Sequence, residues 1–264
     1  MLRTCFSLIV LGAMTFWCGA GCILARLLGE PDVPGGVYDR MLRRWSRSIC
    51  WAAGVRVVVH DGQVLAGGEP RVFVANHLSG FDILALGQVL PHQKFVAKSE
   101  LKAVPFFGWA ASMYGVIWIE RDNRRSVIET YAIAGAQIRN GVSVAVFPEG
   151  TRGDHYELRA FKKGPFVLAI ASGAPIVPTV IHGSREAQSR SDFTIRPATI
   201  HLHFLPPIPT AGLSYDDRDD LARRTRDAMA ACLQREYGIA SVPSDRLRSV
   251  KGVSPLAPEI LPST

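Results

Sequence analysis

The chain has 264 residues, 30 Lys+Arg against 23 Asp+Glu, a net charge of +7, 48% hydrophobic residues and 20% charged ones. That balance excludes a disordered chain, and five cysteines at this length, with no CxxC pair, exclude a disulfide scaffold and give no support to a metal or redox centre. Only one stretch is long and apolar enough to cross a bilayer, which excludes a polytopic membrane protein.

That stretch, Cys5 to Ala25, is uncharged. As a helix rising 1.5 Å per residue it reaches roughly 30 Å, one hydrocarbon core. A cleaved signal peptide and a lipoprotein box at Gly19-Ala20-Gly21-Cys22 are the competing readings. Only Arg3 precedes the run and no Leu opens the box, so a membrane anchor is expected. Val37–Ala53 is predicted to be a helix. Arg40, Arg43, Arg44 and Arg47 recur at three- and four-residue spacing and share one face, with Met41, Leu42, Trp45 and Ile49 between them. This suits an anionic membrane surface, while the same pattern also fits a solvated face on a helix packed against a domain. Arginines just after an apolar run place this side in the cytoplasm, so the expected location is the cytoplasmic face of the inner membrane.

Beyond this helix, strands are predicted at Val55–His60, Arg71–Ala75, Phe95–Lys98, Tyr114–Ile119, Val142–Phe147, Ile176–Ile181 and Thr199–Leu205. Helices are predicted at Ser79–Gln88, at Arg125–Arg139 before Asn140-Gly141, at Pro165–Ala171, and from a capping box at Ser214/Asp217 to Tyr237 before Gly238. Alternating strands and helices indicate a layered α/β domain over residues 54–239. Residues 1–53 form a separate anchoring region, and 240–264, rich in Ser and Pro, read as a loose tail. The positive excess suits nucleic acid, anionic lipid or a phosphorylated small molecule. No aromatic-interleaved RNA motif, zinc-finger spacing or recognition helix is present, so no nucleic-acid partner is expected.

Four polar segments follow or form predicted strands: Asn76 to Asp82, Gly115 to Arg121, Phe147 to Arg152, and Ile176 to Thr179. Sheets of this class gather their sites at strand ends. His77 and Asp82 lie five residues apart, roughly 140° on a continuous helix, and would not share a face. They meet if the helix starts between them, with Ser79 as N-cap and Asp82 at N3. The carboxylate then fixes the imidazole tautomer and leaves the other ring nitrogen as a base. The same spacing fits an ordinary capping box beside a polar loop histidine. Glu149, Gly150, Thr151 and Arg152 form a polar turn after a buried strand, in which Gly allows close backbone approach and Arg suits a phosphate or carboxylate. A surface turn with Glu149 and Arg152 paired to each other reads equally well.

Together and in this order, the four segments resemble the glycerophosphate acyltransferase superfamily, in particular bacterial 1-acyl-sn-glycerol-3-phosphate acyltransferases. The likeness covers about Arg71 to Val180 and extends to Val96–Leu101, Pro105–Trp109 and Phe161–Gly164. Leu78, Trp118, Glu120 and Gly153 depart from common family choices. The resemblance implies a mixed sheet flanked by helices with an N-terminal membrane-associated helical hairpin, and makes 54–239 the acyltransferase domain. It implies acyl transfer from acyl-CoA or acyl carrier protein to the sn-2 hydroxyl of a lysophospholipid, giving phosphatidic acid. In it His77 is the base and Asp82 its orienting partner. Lys98, Arg121, Glu149, Gly150, Thr151 and Arg152 bind substrate, and Asn76 and Ser79 support the loop. Neither cofactor nor metal is implied. Backbone N–H groups at the helix start after His77 are expected to hold the oxyanion. Another lysolipid acceptor, such as a lyso-ornithine lipid, is the alternative in the same class. A membrane-attached hydrolase lacks a Gly-x-Ser-x-Gly elbow, and a non-catalytic lipid-binding protein leaves the four segments unexplained.

Overall fold

The computed structural model describes residues 1–120, 124–244 and 246. Arg121, and all of the expected tail beyond 246, lie outside the described residues. Seven strands form one sheet in the order β1-β7-β6-β2-β5-β3-β4: β1 Val55–His60, β2 Val72–Ala75, β3 Gln93–Lys98, β4 Ile117–Ile119, β5 Ser143–Val146, β6 Ile176–His182 and β7 Ala198–Phe204. β6, β2, β5, β3 and β4 run parallel, β7 is antiparallel to β6, and β1 is parallel to β7. The sheet is therefore mixed, as the resemblance implies.

The period-2 alternation of β2 divides the core. Phe73 and Ala75 join Ala145, Val177 and Ile181 on one face, under α2 (Val37–Ala53) and α3 (Phe81–Val89). Val72 and Val74 join Val144, Val146 and Ile176 on the other, under α5 (Arg124–Arg139), α6 (Gly164–Ser172) and the first turn of α8 (Arg218–Tyr237). Because both faces are covered, β2 and β5 are buried at every position and read as continuous apolar runs. The Ser214/Asp217 capping box forms, opening a 3₁₀ turn that runs into α8.

One helix was not predicted, and it shortens the strand expected after it. The segment before β4 holds α4 (Phe107–Tyr114), closed by Gly115 at φ +102°, so the strand expected from Tyr114 begins only at Ile117. This helix lacks a polar face because it lies beneath α1 (Leu2–Leu27). The two approach so closely at Gly19 that a Cβ there would sit 2.8 Å from the Ala110 side chain and 2.8 Å from the Phe106 ring.

The first helix does not stand off the domain. Ile195 N donates to Thr4 Oγ1 (3.1 Å), Trp45 Nε1 donates to Thr15 Oγ1 (3.0 Å), and Arg26 Nη2 donates to Met113 O (3.0 Å). Residues 4, 15 and 26 recur every eleven positions and so fall on one face of the helix. Leu2, Phe6, Ile9, Phe16, Trp17, Leu24 and Leu27 lie on the opposite side and are exposed. In α2 the apolar side, with Leu42, Trp45 and Ile49, packs into the core, so only its arginine side faces outward. The aliphatic and tryptophan face considered for lipid contact is thus occupied by protein.

Candidate active site

The site lies at the carboxyl ends of β2, β5 and β6, where the parallel strands leave the sheet. Asn76, directly after β2, is fully buried. Its Nδ2 donates to Ile181 O (2.9 Å) and its Oδ1 accepts from Ile181 N (2.8 Å), which clamps the end of β2 to β6. His77 then leaves the sheet on a fixed stalk. Its ring stacks on Phe147, 4.0 Å between centroids at 17°, and its carbonyl accepts the Gly153 N–H at 2.8 Å.

His77 Nδ1 lies 2.7 Å from Oδ2 of Asp82, which is fully buried. The same oxygen accepts the backbone N–H groups of Leu78 (2.7 Å) and Ser79 (2.8 Å). An oxygen already accepting two N–H bonds serves Nδ1 as an acceptor, so Nδ1 carries the hydrogen and Nε2 keeps its lone pair. The His77 side chain remains 16% exposed.

The local geometry corrects two expectations. The helix begins one residue later than read, with Gly80 at its N-cap and Asp82 in the second helical position. Ser79 Oγ accepts from Phe81 N (3.2 Å), not from the Asp82 N–H. The reverse arm of a capping box survives as the Ser79 N–H to Asp82 bond. Leu78 and Ser79 N–H are therefore committed to Asp82 and Phe81 N–H to Ser79, so these three groups are not oxyanion donors.

The 147–153 turn faces the dyad. Gly150 sits at φ +78°, where a side chain would be strained. Glu149 is buried and accepts from Arg159 Nε at 2.8 Å, and Arg159 also donates to Thr151 O. Burial pushes the Glu149 carboxyl above its ordinary range, while Arg159 and, behind it, the His77 backbone and ring pull it back. Glu149 thus pairs with Arg159 and not with Arg152. Thr151 is exposed; Arg152 is half-buried, and its guanidinium has no partner among the described residues. Lys98 ends β3, exposed and paired with Glu100. Arg121 lies outside the described residues. Sequence reasoning missed Arg159, which no local motif marks, and left Lys162 unassigned, although its stem lies against Gly150 and its N–H donates to Pro148 O at 2.8 Å. Among the described residues no group of three His, Cys, Asp or Glu is placed to hold a metal.

Residues 56–182 match the family model "Acyltransferase". Over 253 residues the chain is 30% identical to 1-acyl-sn-glycerol-3-phosphate acyltransferase of Saccharomyces cerevisiae, covering 92% of this chain and 80% of that one. The chain belongs to the 1-acyl-sn-glycerol-3-phosphate acyltransferase family. A second member of that family, the alpha enzyme of Ovis aries, is 34% identical over 192 residues, covering 72% of this chain and 67% of the relative. The crystal structure of the Thermotoga maritima enzyme of this type shares the fold, with a TM-score of 0.75 at 22% identity, covering 89% of this chain and 94% of that one. Within the acyltransferase family frame, the matched segment begins in β1 and ends at the last residue of β6. It encloses His77, Asp82 and the 147–153 turn. The hairpin and the α8 packing lie outside it.

Proposed function

We propose that this acyltransferase moves an acyl group from acyl-CoA or acyl carrier protein to the sn-2 hydroxyl of 1-acyl-sn-glycerol 3-phosphate, giving phosphatidic acid. The observation that carries the reading is Asp82 Oδ2, which binds His77 Nδ1 and two backbone N–H groups at once. It fixes the ring with Nε2 free.

In the reaction, Nε2 accepts the hydroxyl proton as the alkoxide oxygen attacks the thioester carbon. The imidazolium that forms is stabilised by the Asp82 carboxylate. Collapse of the tetrahedral intermediate breaks the C–S bond. The thiolate takes the proton from the imidazolium, leaving ester, thiol and a neutral His77. No acyl-enzyme is needed. Arg152 is the phosphate partner, with Lys162 beside Gly150 as a second cation, and Arg121 and Lys98 complete the acceptor-binding set. Glu149 acts through Arg159 to shape the turn. Asn76 and Ser79 hold the loop.

The apolar outer side of α1 supports a membrane location. Arg40, Arg44, Arg47 and Trp51 form one exposed stripe along α2, and Trp51 meets Phe6 of α1 edge-on at 5.9 Å. A helix lying along the domain with one apolar side, edged by arginine and tryptophan, fits the plane of an anionic leaflet. The cytoplasmic face of the inner membrane, where acyl donors are soluble, is the proposed location.

Thiol release from oleoyl-CoA in mixed micelles tests the proposal. Release that requires lysophosphatidic acid, yields an sn-2 ester and vanishes in His77→Ala is expected. Release without acceptor would make the protein a thioesterase, and saturation by lyso-ornithine lipid alone would change the acceptor.

A further inference from the structure

The segment between α7 (Ser184–Ala187) and β7 is tied down at two places. Arg190 Nη1 donates to Arg152 O at 3.1 Å, inside the acceptor turn. Ile195 N donates to Thr4 Oγ1 at 3.1 Å, in the first turns of α1. One short loop therefore bridges the phosphate-binding turn and the apolar helix. Between the two ties, Asp192 Oδ1 accepts from Thr194 N (2.8 Å), and this turn carries Phe193, 86% exposed, at its tip. Arg196 is paired with Asp192 at 2.8 Å and serves the turn. Arg185 is exposed and has no carboxylate partner among the described residues. Arg3 and Pro197 both sit against Gly54, so the loop, the start of α1 and the end of α2 meet at one edge of the molecule, close to Phe6 and Trp51.

We propose that Phe193 and Arg185 form a second lipid-contact point, which seats the acceptor turn on the same anionic leaflet that α1 faces. This rests on the membrane reading given above. The occupant follows from chemistry and continuity. An exposed aromatic side chain at the tip of a loop, with an exposed guanidinium on the helix α7 that leads into it, suits the boundary of acyl chains and phosphate head groups. The loop also meets the start of α1, and the Leu2–Leu27 helix is long and apolar enough to cross a membrane by length and composition. The bridge from Arg190 to Arg152 then sets the height of the phosphate site above the leaflet, so that an acceptor need rise only by its head group.

Full-length wild type, Phe193→Ser, Arg185→Gln and Phe193→Trp are compared by flotation with vesicles of phosphatidylcholine plus phosphatidylglycerol and of phosphatidylcholine alone. Phe193→Ser and Arg185→Gln are expected to weaken partition onto the anionic vesicles by about threefold to tenfold, and Phe193→Trp to restore it. Acyl transfer to vesicle-borne lysophosphatidic acid falls in parallel, while transfer to a short-chain acceptor dissolved as monomer is unchanged. Equal partition of Phe193→Ser and wild type overturns the proposal and leaves the enzyme reading standing. Loss of rate with carrier-protein donor only, at unchanged vesicle binding, assigns the patch to an acidic protein and also overturns it. Wild type that ignores vesicles removes the membrane reading itself. Weakened partition in a protein that transfers no acyl chain upholds the contact point and sinks the enzyme reading alone.

Discussion

Asp32, on the loop between α1 and α2, places Oδ1 3.0 Å from Nζ of Lys94, which is buried at the start of β3. The ammonium also lies 4.1 Å from the Tyr114 ring centre and 5.5 Å from that of Tyr38. This pair fastens the helical hairpin to the sheet. Removing one partner strands a buried charge, whereas an apolar replacement of the lysine strands only the more exposed carboxylate. Asp32→Ala is expected to cost about 3 kcal/mol and Lys94→Met distinctly less. Urea unfolding of both variants checks this, and equal losses would show that the pair is not the fastening. Burial pushes the Lys94 ammonium below its ordinary 10.5, against the pull of Asp32. The unfolded chain then holds this proton more tightly, so the contribution of Lys94 to stability rises as pH increases through the range below 10.5.

The dyad separates into a chemical part and a scaffolding part. Asp82→Asn preserves an oxygen for the Leu78 and Ser79 N–H groups but removes the charge facing the imidazolium. Its kcat is expected to fall by about 10²- to 10⁴-fold, with little change in KM or melting temperature. Asp82→Ala also leaves both buried N–H groups unpaired and is expected to lose about 2 kcal/mol more in stability. Steady-state kinetics alongside thermal melts distinguish the two. An Asp82→Asn enzyme with wild-type kcat would remove the carboxylate from the mechanism.

Much of the architecture was legible before the structure. β1 and α2 match their expected bounds, and β2, β5 and β6 shift by a residue or two, because buried parallel strands and capped amphipathic helices leave local patterns. Helix α4 was not legible, since it is short, its sequence is mostly apolar with no clear polar face, and part of it packs against α1. His77 and Asp82 could be paired from spacing, but the commitment of the Leu78 and Ser79 N–H groups to that carboxylate needed the actual helix start at Phe81. Arg159 was invisible because its link to Glu149 spans a turn with no periodicity.

Arg159 and Glu149 give a prediction for the acceptor side. Arg159→Leu leaves a buried carboxylate without its counter-charge and frees the Thr151 carbonyl. KM for lysophosphatidic acid is expected to rise about tenfold, with a stability loss of about 2 kcal/mol, the exposed half of the guanidinium moderating the effect. Adding Glu149→Gln removes the stranded charge and is expected to restore stability but not KM. A double-mutant cycle reads both. Additive losses would show that the two side chains act independently.

On the far side of the sheet, strand pairing gathers histidines that lie far apart in sequence. β1 and β7 put His60 opposite His203, and β6 and β7 put His182 opposite His201. His60 stacks on His203 at 4.1 Å, and His203 Nε2 lies 2.7 Å from the Tyr237 hydroxyl at the end of α8. Burial, and then the neighbouring His60, lower His203 from 6.5 to about 4. The unfolded chain therefore takes up a proton first as pH falls. Stability from this group is full above 6.5 and is lost as pH drops through about 4, a change of up to ~3 kcal/mol. His203→Phe keeps a stacking ring and removes the titration. Its stability between pH 6.5 and 4 is expected to fall less steeply than that of wild type, as read by urea unfolding at stepped pH. Parallel slopes for the two proteins would mean that His203 titrates alike in the folded and unfolded chain.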